Sequence, residues 1–121
     1  RALQYRRQGG DPDAVRKQFR SAADHARRAI AGKPDHGPAH VLLGLAQKEL
    51  GQKKEAQETL QRAIQCSPDL AEAHLYLGQM LAEAGQKDEA RRRLEQAVRL
   101  SRPEDRRAQT ALDQLNNSKD E

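Results

Sequence analysis

Tryptophan is absent from this chain of 121 residues, and Tyr5, Phe19 and Tyr76 are its whole aromatic content. A core here has to be built from leucine and alanine, and there is no run of aromatic side chains on which successive bases of a single strand could stack. One cysteine, Cys66, allows neither an internal disulfide nor a cysteine-based metal site. No apolar run approaches the roughly 18–20 residues that cross a bilayer, and no charged-then-apolar leader opens the chain. A Gly-rich phosphate loop is missing, as is any Ser/His/Asp or Cys/His constellation in a plausible register. No paired carboxylates come with a pocket that would shift their pKa values. These absences predict a soluble, non-catalytic segment with no cofactor, its compartment open and the cytoplasm slightly favoured. The chain starts at Arg1 rather than at methionine, which gives the expectation of a processed product or a fragment of a larger protein, for which it would be an accessory domain.

Charge is abundant, 33% of residues, and unevenly placed. Residues 1–34 carry nine Lys/Arg against three Asp, a net +6, while the remainder carries thirteen against fifteen, a net −2. The N-terminal third alone is basic.

The dominant pattern is internal repetition. Residues 34–67 recur as 68–101, a spacing of 34 with 15 identical positions. The shared set includes Pro34/Pro68, Asp35/Asp69, Ala39/Ala73, His40/His74, Leu43/Leu77, Gly44/Gly78, Gly51/Gly85, Ala56/Ala90, Leu60/Leu94 and Ala63/Ala97. Small and apolar residues prevail, so what is repeated is packing. Within the first copy Ala39, Leu42, Leu43, Ala46 and Leu50 fall at helical spacing up to Gly51, and Ala56, Leu60, Ala63 and Ile64 do so up to Pro68. Each copy therefore reads as a helical hairpin. Gly51 and Gly85 stop the first helix, since glycine takes the left-handed conformation without a Cβ penalty. Asp35 and Asp69 are expected to cap the following helices, with Glu72 completing a capping box after Asp69. Gly44 and Gly78 sit inside helices, where glycine costs roughly 1 kcal/mol relative to alanine. Close approach of the paired helix, presenting Ala56 or Ala90, is the expected compensation.

Upstream, Ala22, Ala26, Ala29 and Ile30 fall in register with Ala56, Leu60, Ala63 and Ile64. Asp13–Ala31 is predicted as the second helix of a degenerate repeat, its first helix being residues 1–8 before the breaker Gly9-Gly10-Asp11-Pro12. Downstream, Ser101-Arg102-Pro103-Glu104 reads as a capping box opening a lone helix through Ala108, Ala111, Leu112 and Leu115. Such a helix shields the end of an array, with Arg106, Arg107, Gln109, Gln114 and Asn116 on its open side. The expected organisation is one domain over 1–116: a degenerate repeat (1–33), two full repeats (34–67 and 68–101) and a capping helix (102–116), then a frayed tail at 117–121.

The order His40-x2-Leu43-Gly44, Ala56-x3-Leu60, Ala63, Pro68, repeated as His74-x2-Leu77-Gly78, Ala90-x3-Leu94, Ala97, resembles the tetratricopeptide repeat (TPR) pattern. Histidine stands where that family often has tryptophan, and Gln47 and Leu81 stand where it often has tyrosine. The resemblance implies an all-α fold, a right-handed superhelical solenoid of helical hairpins with a C-terminal capping helix. It also implies a scaffold that binds a protein or peptide segment in its concave groove. The family's groove positions map to Val41, Leu45, Lys48, Glu72, Leu75, Tyr76, Gln79, Arg106, Gln109 and Asp113. In the chaperone-binding subgroup, basic and asparagine groove residues clamp a terminal carboxylate. Of the matching positions here, which include Val41, Leu45 and Tyr76, Arg106 alone suits that role. A partner with an apolar stripe is expected instead, anchored on Tyr76. Two alternatives stand beside this reading. One is self-assembly, a homo-oligomer paired through the seam around Leu3 at the end of the array. The other is contact of residues 6–28 with nucleic acid or anionic lipid; interleaved acidic residues and the lack of aromatics disfavour nucleic acid as a partner.

His36 and His40, four apart, share a helix face in the manner of metal ligands, but no third ligand beyond Asp35 accompanies them, and His40 recurs as His74 at a packing position. No metal is expected. Cys66 replaces Leu100 of the other copy and reads as a small apolar residue at a helix end. Arg91, Arg92 and Arg93 are consecutive and spread around a helix of 3.6 residues per turn, so they form no patch. Arg16, Arg20 and Arg27 align better.

Overall fold

The computed structural model describes residues 11–117. They form six helices and, among the described residues, no strand: α1 (Pro12–Gly32), α2 (Gly37–Glu49), α3 (Lys53–Cys66), α4 (Ala71–Glu83), α5 (Lys87–Leu100) and α6 (Arg107–Asn117). The proposed helix at 1–8 and residues 118–121 of the tail lie outside the described residues; Asn117 belongs to α6.

Helices α2 and α3 pair as one hairpin and α4 and α5 as the next. Helix α1 packs on α2, and α3 packs on α4. Helix α6 closes the stack against α5 and α4. Helix α4 also touches both α2 and α6, so these three follow one another along one side of the stack.

The turn within each hairpin is a glycine turn. Gly51 and Gly85 adopt φ of +85° and +84°, and the next amide, of Gln52 or Gln86, donates back to the carbonyl of Gln47 or Leu81. This closes α2 and α4 in the manner of a Schellman cap. Between hairpins the turn is a proline turn. His36 N donates to Lys33 O at 3.1 Å and Leu70 N to Ser67 O at 3.0 Å, which puts Pro34 or Pro68 second and Asp35 or Asp69 third in a β-turn. The expected aspartate caps are thereby overturned. The residues that flank α2 and α4 are His36 and Leu70, and neither offers a side-chain cap. The turn uses up the aspartates one residue too early, and Glu72 forms no capping box.

The histidines complete this turn. His40 Nε2 lies 2.9 Å from Pro34 O, and His74 Nε2 lies 2.9 Å from Pro68 O. A carbonyl can only accept, so Nε2 carries the proton and donates in both copies. Both rings are buried. Where the family often places tryptophan, this chain ties the start of each hairpin to its own turn. His40 is committed to that bond and His36 flanks the helix. Cys66 Sγ comes to 3.9 Å from the same Pro34 carbonyl.

The core is aliphatic. Leu60, Leu77 and Leu94 are its largest fully buried side chains, among Ala56, Ala63, Ala73, Ala90, Ala97 and Ala108. The helix-interior glycines do admit close approach, but to leucine. A Cβ on Gly44 would stand 2.9 Å from Leu60 Cγ, and one on Gly78 would stand 2.8 Å from Leu94 Cγ, while of Ala56 the nearest atom is its carbonyl oxygen at 3.4 Å.

Both ends differ from their predicted starts. Pro12 is the first residue of α1, not part of a breaker; Asp11 caps that helix, accepting from Asp13 N at 3.1 Å. The capping box at Ser101 does not form. Ser101 Oγ donates to Ala97 O at 2.7 Å and so finishes α5, and α6 begins only at Arg107. Proline disfavours helical backbone at the residue before it, Arg102, so the chain turns through Arg102–Asp105 first.

Candidate functional site: the trough between α4 and α6

Along α4, Leu75, Tyr76, Gln79, Ala82 and Glu83 recur at intervals of three and four and so share one face. Opposite them stand Thr110, Ala111, Gln114 and Leu115 of α6. Two depressions lie between the helices. One, of about 480 Å³, is lined by Leu75, Tyr76, Gln79, Thr110, Ala111 and Gln114, with the loop residues Glu104, Asp105, Arg106 and Arg107 at its end. The other, of about 410 Å³, is lined by Lys48, Gln79, Ala82, Glu83, Lys87, Leu94, Ala111, Gln114 and Leu115. They share Gln79, Ala111 and Gln114 and form one trough. Leu75 and Leu115 are buried beneath it, Tyr76, Gln79, Ala82 and Ala111 are half-buried, and Thr110 and Gln114 are exposed. The floor is apolar and the rims are polar.

The loop end is held by Arg107. Its guanidinium donates to Asp105 through Nε at 3.1 Å and through a terminal nitrogen at 2.9 Å, donates to Tyr76 Oη at 3.1 Å, and stands 3.5 Å from Glu72. Asp105 also accepts from the Arg107 amide at 3.1 Å, which ties the loop to the first turn of α6. These bonds favour the charged forms of both partners. The Arg107 side-chain and amide donors hold the Asp105 carboxyl below its usual range, and Asp105 in turn raises Arg107. Arg107 thus orients the Tyr76 ring at the edge of the trough.

The sequence-derived groove residues divide. Leu75, Tyr76, Gln79, Arg106 and Lys48 line the trough. Val41 is buried in the core, and Leu45 packs against that core half-exposed. Lys48 is 4.0 Å from Glu83 across the α2–α4 contact. Glu72 serves Arg107, and on the other face of α6 Gln109 donates to Asp113 at 2.9 Å. Sequence reading passed over Glu104, Asp105, Thr110, Ala111 and Gln114 as lining residues. It started the last helix at Ser101, which hid the loop; the Asp105-x-Arg107 pair was the signal that could have marked the true start.

The consecutive arginines form no patch. Arg91 bonds Asp88 and Asn116, while Arg92 and Arg93 both meet Glu89. No helix among the described residues is long and apolar enough to cross a membrane.

Comparison with known structures finds the same architecture repeatedly. The first TPR domain of Spaghetti (RPAP3), solved with an HSP90 peptide, superposes with a TM-score of 0.78 at 16% identity, over 98% of this chain and 87% of that one. The Arabidopsis OM64 TPR domain gives 0.75 at 22% identity, over 84% of each chain. The P58(IPK) TPR domain gives 0.75 at 23% identity over 85% of this chain, which spans 29% of that longer one. No curated protein matches the chain in sequence. Two family models described as tetratricopeptide repeat match residues 16–69 and 43–101, and together they run from within α1 to the end of α5. With hairpins of matching register and a closing helix in place, the chain belongs to the tetratricopeptide repeat family.

Proposed function

We propose that the chain is a protein-interaction module and that the α4–α6 trough takes a peptide or helix of a partner protein. The continuity of the trough carries this reading: an apolar floor and polar rims that run unbroken along α4 and α6. The ligand class has support from relatives in fold. Spaghetti (RPAP3) holds an HSP90 peptide, and the Yersinia enterocolitica chaperone SycD, with a TM-score of 0.67, holds a peptide of YopD. At 16% identity these speak for peptide binding as a class and not for any sequence.

The chemistry of the trough argues against capture of a terminal carboxylate. Arg107 is answered by Asp105 and Glu72, and Lys48 by Glu83, which leaves Arg106 at the loop end without the set of basic and asparagine partners that a carboxylate clamp uses. A partner that lays apolar side chains over Leu75, Ala82 and Ala111 uses what the surface offers, and Tyr76 is a pre-oriented anchor. Binding of this kind asks no chemistry of the module.

The test is a pulldown with the wild-type chain beside Thr110→Arg/Gln114→Trp, which fills the trough from two exposed positions and leaves the core alone. A partner held by the wild type and weakened at least tenfold, about 1.4 kcal/mol, in the filled variant is the expected result. A partner held equally by both proteins removes the trough from consideration.

A further inference from the structure

A second recess, of about 500 Å³, lies between α1 and the turn that joins α2 to α3. Arg16, Arg20, Ala23, Asp24 and Arg27 of α1 line it, with Leu50 and Gln52 of the turn. Positions 16, 20, 23 and 27 follow helical spacing, so the three guanidiniums share one stripe. They face a single carboxylate of the lining, Asp24, 3.5 Å from Arg27. Among the described residues, neither Arg16 nor Arg20 has an ion pair or a side-chain hydrogen bond. Helix α5 shows what an ordinary solvated basic face looks like in this protein: each of Arg91, Arg92 and Arg93 is answered by Asp88 or Glu89. In the α1 stripe only Arg27 has such a partner, and Arg16 and Arg20 line the recess unanswered. Residues 1–10 add Arg1, Arg6 and Arg7 and no carboxylate, so that segment offers nothing of opposite sign.

We propose that this recess is a second docking site, separate from the trough, and that its occupant is an acidic peptide segment of a protein partner. The guanidinium fork takes a carboxylate two N–H groups at a time, and two such forks stand free one helical turn apart. Leu50 and Ala23 add an aliphatic patch against which the stems of glutamate side chains can lie. Nucleic acid fits less well. The charge is confined to a bounded recess rather than drawn out along a backbone track, and Phe19, the one described aromatic of α1, is half-buried and absent from the lining.

The experiment is fluorescence anisotropy of the full chain with labelled deca-glutamate, deca-glutamine and a ten-nucleotide oligothymidylate, at low and at raised sodium chloride. Deca-glutamate is expected to bind, deca-glutamine not, and the affinity to fall as salt rises. Arg16→Gln/Arg20→Gln should weaken deca-glutamate at least tenfold. Arg62→Gln/Arg102→Gln removes the same charge from exposed positions elsewhere and should change it less than twofold. Gln114→Trp should leave it unchanged, since the trough is not involved. All of these positions are exposed, and circular dichroism checks that each variant stays helical. No binding of deca-glutamate, or equal weakening by the two double variants, would overturn the site. Loss of binding in Gln114→Trp would move the peptide to the trough, and tighter, Arg16-dependent binding of the oligothymidylate would reassign the recess to nucleic acid.

Discussion

Gly78→Ala sets two effects of similar size against each other. Alanine in a helix interior is favoured over glycine by about 1 kcal/mol, so at an open position the change stabilises. At Gly78 the new Cβ would lie 2.8 Å from both Cγ and a Cδ of Leu94 and 3.3 Å from Arg93 Cβ. The branch point of Leu94 cannot swing aside as a side-chain tip could, and Leu94 is 1% exposed. Overpacking a well-filled site costs about 1–3 kcal/mol, and a contact at the branch point places the cost in the upper part of that range. The expected balance is a loss of about 1–2 kcal/mol after the propensity gain. Urea denaturation followed by circular dichroism measures it, with the slope unchanged if the denatured state is unaffected. Two further substitutions calibrate the result. Gly32→Ala, where nothing lies within 4 Å of the new Cβ, should be neutral or stabilising by up to about 1 kcal/mol. Gly51→Ala, equally uncrowded but at φ +85°, should lose about 1–2 kcal/mol through backbone strain alone. A double-mutant cycle with Leu94→Ala then isolates the contact, and the penalty of Gly78→Ala should vanish in that background. If Gly78→Ala stabilises the wild type, or if its penalty survives without the leucine side chain, close helix approach is not the reason for glycine there.

The remaining expectations concern polar contacts. Thr59 Oγ1 donates to Gln47 Oε1 at 2.7 Å in a buried position between α2 and α3, so Thr59→Val should cost about 1–3 kcal/mol by stranding the amide oxygen. Thr59→Val combined with Gln47→Leu should recover most of that loss in the same denaturation assay; no recovery would show that shape, not the hydrogen bond, sets the cost. For pH, the folded-state pKa of Asp105 is depressed, so its contribution is present above the unfolded carboxylate pKa and lost as pH falls through the lower folded value. The α6 amides near Arg107 should therefore lose hydrogen-exchange protection first in that acid window, and Asp105→Asn should abolish this step while leaving the protection of α4 and α5 alone. An identical acid profile in the variant would place the controlling group elsewhere.

Legibility followed the reach of each interaction. Helix identity, the glycine stops and the 34-residue hairpin were readable because periodicity and left-handed backbone are local properties, written within a few residues of where they act. Capping was misread for a local reason too, since one short segment can satisfy two grammars. Asp35 fits a helix cap or the third place of a proline turn, and the histidine bond to the preceding proline carbonyl goes with the second. Ser101 fits a cap for the next helix or a closing bond back to Ala97, and Pro103 decides for the latter. The site suffered most. Arg107 meets Tyr76 and Glu72 from far along the chain, and no spacing rule announces that pairing.

The repeat itself separates scaffold from site. Among the positions identical between the two copies, Leu43/Leu77, Gly44/Gly78, Ala56/Ala90 and Leu60/Leu94 are buried in both, so their identity is explained by the hairpin they build. At four of the five α4 positions that line the trough the copies differ: Leu75 stands against Val41, Tyr76 against Leu42, Gln79 against Leu45 and Ala82 against Lys48, while Glu83 matches Glu49. Packing alone does not ask for tyrosine at one and an exposed leucine at the other, because Leu42 is 44% exposed where Tyr76 is held by Arg107. The arginine stripe of α1 behaves the same way, since Arg16, Arg20 and Arg27 correspond in register to Leu50, Lys54 and Gln61, which share no common charge. Residues free of the repeat's packing rule are where a particular partner can be specified, and both proposed docking surfaces are built largely from them.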